Sequence, residues 1–170
     1  MVFRIRFLVV FCLCMSLAFC AFAQPKDNLY SNTLLGFSIK LPEGWSQEGD
    51  MQSGGVIEGR IRLVDGQNTM LITVMKGPAF KNFKEEVKSQ ISGPGVTLEE
   101  ELDEINLNGQ EGLKTTIHFF ERNIKVKMLA YFLNTPEAGY VINAAAIDAK
   151  DFDVLKPILE KIVESVRITK

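Results

Sequence analysis

The sequence predicts an α+β fold: a central antiparallel β-sheet of about six or seven strands flanked by two main helices in an α-β-α sandwich. Three observations predict it. Segments of strict apolar and polar alternation recur along the chain, two segments instead carry apolar residues at helical spacing, and the connections are mostly too short for parallel crossovers. At 170 residues, with 46% hydrophobic and 24% charged side chains, the composition is that of one ordinary globular domain.

The first strand is Phe37, Ile39 and Leu41 alternating with Ser38 and Lys40, stopped by Pro42-Glu43-Gly44 before Trp45. A hairpin follows: Ile57, Ile61 and Leu63 alternate with Glu58, Arg60 and Arg62, Asp65-Gly66 turns the chain, and Met70 to Met75 returns. Asn82 is placed to cap a helix with Glu85 as its capping-box partner; Phe83, Val87 and Ile91 form its narrow stripe, and Gly93-Pro94 ends it. Such a stripe suits a surface helix lying on a sheet face.

Residues 97–107 are acidic and read as a strand punctuated by Asn108-Gly109, with Gly112 ahead of a β-branched, aromatic strand over 113–120. Glu121-Arg122-Asn123 turns into a strand from Ile124 to Leu133. Its far half is apolar on both faces, which places it centrally with cover on both sides. The last strand, 140–147, carries Ala144-Ala145-Ala146, short side chains that allow close approach. Asp148 then caps a helix whose Phe152, Leu155, Leu159, Ile162, Val163 and Val166 share one stripe, with a kink or a tightened turn expected near Lys156 because Pro157 removes a helical hydrogen bond.

Ahead of the domain, Arg4 and Arg6 precede sixteen uncharged residues from Phe7 to Phe22, closing in Ala21-Phe22-Ala23 before Gln24. This has the form of a secretory signal peptide over residues 1–23, cleaved between Ala23 and Gln24. The alternative, a lipid-modified Cys20 within Leu17-Ala18-Phe19-Cys20, is disfavoured by the bulk of Phe19. Residues 24–33 read as a flexible polar tether and 34–170 as a single domain. No later stretch approaches the roughly 20 apolar residues of a spanning helix, so the mature chain is expected in a periplasm or outside the cell. Cleavage removes two arginines and all three cysteines, taking the net charge from −2 to −4. A cysteine-free domain in an oxidising compartment must be stabilised by burial alone, and a mildly acidic chain without a basic face is not expected to bind nucleic acid.

Residues 36–45, GFSIKLPEGW, followed by hairpin, helix, Asn-Gly turn, further strands and the closing LKPILEKIVESVRI over 155–168, give a layout that resembles the PsbP-like and Mog1-like superfamily, including DcrB-like exported bacterial proteins of undefined role. The resemblance covers about residues 34–168. It implies the same α-β-α sandwich, and an accessory or assembly role of the kind found among its members. No metal-site or partner-contact residues of those relatives are matched here.

Few residues are candidates for chemistry. Trp45 could stack on a ligand, but a lone tryptophan after a strand-ending turn reads first as a core lid. His118, the only histidine, cannot form an imidazole cluster, and no Gly-x-Ser-x-Gly elbow accompanies it. Glu99, Glu101 and Asp103 would share one face of a strand and could hold a divalent cation loosely. They lack a calcium loop, and a solvated edge that discourages sheet aggregation is the better reading. No catalytic residue and no cofactor is expected. The function expected is a non-enzymatic exported binding or assembly module engaging an envelope or secreted protein partner. The alternatives are a binder of a small ligand or divalent metal between sheet and helices and, further off, a carboxylate-dependent hydrolase.

Overall fold

The computed structural model describes residues 28–53, 57–64, 68–121, 123–146 and 152–169, with side chains described outside 46–58 and Glu121. The signal segment with Cys20, Ala23 and Gln24, the Asp65-Gly66 turn and the Asp148 cap lie outside the described residues. Element order is β1 (Leu29–Asn32), β2 (Phe37–Lys40), β3 (Ser46–Ser53), β4 (Ile57–Val64), β5 (Thr69–Gly77), α1 (Phe83–Ile91), β6 (Val96–Leu98), β7 (Asp103–Leu107), β8 (Gln110–Glu121), β9 (Ile124–Asn134), β10 (Gly139–Ala146), α2 (Phe152–Glu164) and β11 (Arg167–Ile168).

The main sheet is antiparallel with strand order β3-β4-β5-β10-β9-β8-β6, and β7 also pairs with β8. It is therefore seven positions wide, its last position shared by two short strands. Helix α2 packs on one face, where Leu129, Tyr131 and Leu133 of β9 and Tyr140, Ile142 and Ala144 of β10 join Leu155, Leu159 and Val163 in one core. The opposite face of β8 and β9 holds a second cluster in which Val87 and Ile91 of α1 meet Leu113, Ile117, Ala130 and Phe132. The α-β-α sandwich and the doubly covered stretch Leu129–Leu133, buried at every position, are as the apolar pattern predicts.

A second, three-stranded sheet, β1-β2-β11, adds what the sequence reading lacked. Tyr30 and Asn32 of β1 are buried in register with Ile39 and Phe37 of β2, so the ordered domain begins within the stretch taken for a tether. Four residues are too few for alternation to stand out; pairing with β2 supplies the order. The small sheet lies on the same core as α2: Phe37, Ile39 and Leu35 are buried there, and the Tyr140 hydroxyl donates to the Leu35 carbonyl at 3.1 Å. Gly59 admits Leu35, since a Cβ at Gly59 would stand 2.7 Å from Leu35 Cδ1.

Two local expectations are corrected. The cap of α1 is not a side-chain bond from Asn82. Glu86, not Glu85, supplies the carboxylate, its Oε1 accepting from the backbone N–H of Lys81 at 3.0 Å and of Asn82 at 2.9 Å. Helix α2 spans Phe152–Glu164 with Pro157 inside it; Pro157 is exposed, while buried Leu155 and Leu159 hold the turns on either side. The strand predicted over 97–107 is two strands, β6 and β7, separated at 99–102.

Candidate functional site

That separation decides the fate of the acidic run. Backbone N–H groups of Glu99 and Glu100 bond to the Thr116 carbonyl, which turns the chain and brings Glu99 to the lysines of β9 and Glu100 to Lys156 of α2 in place of strand alternation. Glu99 Oε1 accepts from Lys125 Nζ at 2.8 Å, its Oε2 lies 3.1 Å from Lys127 Nζ, and His118 Nδ1 stands 2.9 Å from Oε1 without hydrogen-bond alignment. Lys127 reaches on to Asp153 in the first turn of α2 at 3.5 Å. Glu100 takes Lys156 of α2 and the Thr116 hydroxyl.

These pairings set the titration of the site. Hydrogen bonding from Lys125 pulls the Glu99 carboxyl down to about 2, against the desolvation that burial imposes, with Lys127 adding to the fall. Lys156 chiefly holds Glu100 low, with Thr116 assisting. Both carboxylates are thus ionised and already engaged at neutral pH. Glu99, Glu101 and Asp103 are all exposed, and residues 99–102 lie between β6 and β7, so the three do not sit on one continuous strand. No group of three metal-capable side chains occurs among the described residues. The cluster clamps the first turns of α2 to β8 and β9.

Trp45 is 8% exposed and belongs to the main core, which also holds Tyr30 and Phe37. Its backbone N–H returns to the Pro42 carbonyl at 3.3 Å, and Gly44 at φ 81° makes the turn that a β-carbon would strain.

The surface that sequence reasoning missed lies on the α1 side of the sheet. The cluster under helix α1 is built on β8 and β9 and takes in β10 only at Val141, with no residue of β5. On β5 and β10, Leu71, Thr73 and Met75 stand directly opposite Ala145, Asn143 and Val141, and all six are half-buried. Arg62 and Arg60 of β4 lie in register with Leu71 and Thr73 at the outer border. Between this strip and α1 is a recess of about 290 Å³ lined by Met75, Pro78, Phe80, Gln90 and Val141. Phe80 is fixed there by a reciprocal pair: its N–H donates to Asn134 Oδ1 at 2.9 Å and its carbonyl accepts from Asn134 Nδ2 at 3.2 Å. The signal for this strip was in the sequence, as the β5 and β10 positions that alternate with the deep core. What it lacked was the reach of α1.

With two helices on opposite faces of the antiparallel sheet and a small sheet sharing the α2 core, the architecture can be compared with known folds. The solution structure of cyanobacterial PsbP (CyanoP) from Synechocystis sp. PCC 6803 matches over 82% of this chain and 91% of its own, with a TM-score of 0.55 at 13% identity. This is the PsbP-like fold. The same PsbP-like arrangement is shared with PA94 from Pseudomonas aeruginosa, a protein of unknown function and putative regulator (TM-score 0.54, 12% identity, 81% and 93% covered). It is also shared with LpqN, involved in cell envelope biogenesis of Mycobacterium tuberculosis (TM-score 0.57, 13% identity, 87% and 88% covered). No family model and no curated protein matches the chain. At these identities the likeness shows the fold, as the 36–45 motif and closing helix implied, and function has to be argued from the surface. Among the described residues no helix is long and apolar enough to cross a membrane.

Proposed function

We propose that this chain is an exported, non-enzymatic accessory module of the cell envelope, acting in a periplasm or outside the cell, that engages a protein partner through the strip beside α1. The observation that carries the reading is the half-buried row of Leu71, Thr73, Met75, Val141, Asn143 and Ala145 on a sheet whose neighbouring strands are covered by a helix. Strands lie about 4.8 Å apart, so β4, β5 and β10 present a strip about 10 Å across, the width of one α-helix with its side chains. The occupant it fits is an amphipathic helix of the partner, laid beside α1 with its apolar face on Met75 and Val141. The envelope setting is supported by the export pattern ahead of Gln24 and by fold neighbours such as LpqN. The non-enzymatic part is supported by the polar groups that could act, Glu99 and Glu100, being held by lysines in a structural clamp.

The test places a photo-crosslinking amino acid at Thr73, and for comparison at Val154, which is 76% exposed on α2 on the other side of the sheet. A discrete adduct from Thr73 in intact cells, absent from Val154 and lost in a folded Met75→Asp variant, is expected. An adduct that persists in Met75→Asp, or none from Thr73, overturns the reading. Mass measurement of the exported chain is expected to place its first residue at Gln24.

A further inference from the structure

On the α2 side of the sheet, away from the strip, Tyr131 is 1% exposed and its hydroxyl has no hydrogen-bond partner among the described residues. A buried hydroxyl left unsatisfied in a native core is uncommon. Tyr131 forms part of the wall of a recess of about 390 Å³ at the C-terminal end of α2, together with Lys114, Asn108, Glu164, Ile105 and Leu107. Burial chiefly, and then the carboxylates of Glu160, Glu164 and Glu100, push the pKa of the Tyr131 hydroxyl well above the ordinary tyrosine range. The hydroxyl therefore stays neutral and sits toward α2, the side from which Glu164 lines the recess.

The surroundings select the charge of an occupant. Lys114 Nζ stands 3.8 Å from Glu160 and Lys156 is taken by Glu100, so the carboxylate left over among these groups is Glu164, which has no partner among the described residues. The last carbonyls of α2 carry the negative end of the helix dipole and add to the preference for a cation. Asn108, at the β7–β8 turn, spends its amide nitrogen on the carbonyls of Glu164 at 3.1 Å and Val166 at 2.7 Å, which leaves its Oδ1 free to accept.

We infer that this recess binds a primary alkylammonium group. Its three N–H donors are met by the Glu164 carboxylate, Asn108 Oδ1 and the Tyr131 hydroxyl oxygen, and its aliphatic stem lies along Ile105 and Leu107. The space would otherwise hold roughly a dozen waters, so one short amine fits. Such a group arrives either as a free amine or as a lysine side chain of another protein, and the experiment separates these.

Titration of the exported chain with 1-pentylamine at neutral pH, followed by calorimetry and by the ¹⁵N side-chain amide signal of Asn108, is expected to saturate and to shift that signal. 1-Pentanol, with the same stem and no charge, is expected to bind about tenfold more weakly. Glu164→Gln is expected to weaken pentylamine binding by about tenfold and Tyr131→Phe by about threefold. Tyr131→Phe removes only an unpaired hydroxyl, so it keeps the fold and the test stays decisive. Nα-acetyl-lysine methylamide binding more tightly than pentylamine identifies a protein lysine as the source; the reverse identifies a free amine. Equal binding of amine and alcohol, no shift at Asn108, or wild-type affinity in both variants overturns the inference. Met75→Asp is expected to bind pentylamine normally, so this site and the partner strip fail or stand separately.

Discussion

A Cβ placed on Gly139 would stand 2.6 Å from Cε2 of Phe80. The absence of a side chain at the first residue of β10 is what lets the Phe80 ring close one end of the recess beside α1. Phe80 cannot simply step away, because both of its backbone polar groups are bonded to Asn134.

Gly139→Ala is therefore expected to destabilise the fold by about 1–3 kcal/mol, the usual cost of overpacking. A Cβ there would also meet the Pro78 carbonyl at 2.9 Å, and backbone yields less than a ring. Urea denaturation measures it, and an alanine variant as stable as the parent would contradict the packing described.

Glu99 makes stability depend on acid in a defined window. Its carboxyl is pulled from the usual 4.5 to about 2 in the fold, so the native state binds the proton less readily than the unfolded chain. The stabilisation is complete above about pH 4.5 and is lost as pH falls through about 2. Lys125 is 39% exposed, and water screening keeps the contribution near about 1 kcal/mol. Glu99→Gln is expected to lower the urea midpoint at pH 7 and to flatten its fall between about pH 4.5 and pH 2.

Asn108 combines a left-handed backbone, φ 54°, with two hydrogen bonds to the end of α2. Asn108→Ala loses the bonds and strains the backbone, at an expected cost of about 2–4 kcal/mol. Asn108→Gly loses the bonds but relieves the strain and should fall between the alanine variant and the parent. Thermal unfolding of the three proteins orders them, and equal losses for Ala and Gly would show that the backbone conformation contributes nothing.

Pro157→Ala restores an N–H inside α2 at an exposed position where no packing is disturbed. A gain of about 1–2 kcal/mol is expected, the restored helical bond being partly offset by a more flexible unfolded chain. Calorimetric melting tests it.

Trp45 is the single tryptophan and is 8% exposed. Its emission should lie in the blue range typical of a core indole, resist iodide quenching, and move to the red on unfolding. Strong quenching in the native protein would return it to the ligand-stacking role.

Much of the fold was legible because it is written in local period. The stripe of α2, the doubly apolar half of β9 and the Asn108-Gly109 turn, where both residues take positive φ, each follow from neighbours a few positions apart. Strand β3, SQEGDMQS, carries no such period, and its strand character comes from pairing with β4. β1 and β11, four and two residues long, are equally dependent on β2. The acidic run shows the same limit. Its residue types announced a charged cluster, but Glu99 finds Lys125 26 positions away and Glu100 finds Lys156 56 positions away, and no spacing within the run encodes either partner.

By itself, then, the sequence determined the kinds of element, the two helical stripes, the sandwich class and the absence of cysteine beyond Cys20, since each depends on side-chain type and short-range periodicity. Only the tertiary structure decided that the cluster under α1 reaches β10 at Val141 alone and leaves out β5, that Glu99 and Glu100 clamp α2, and that the Tyr131 hydroxyl is buried near Glu164, a carboxylate with no partner among the described residues. Period tells which face of an element is buried; what lies against that face depends on segments brought together from far along the chain, and there burial and charge pairing, not propensity, set the outcome.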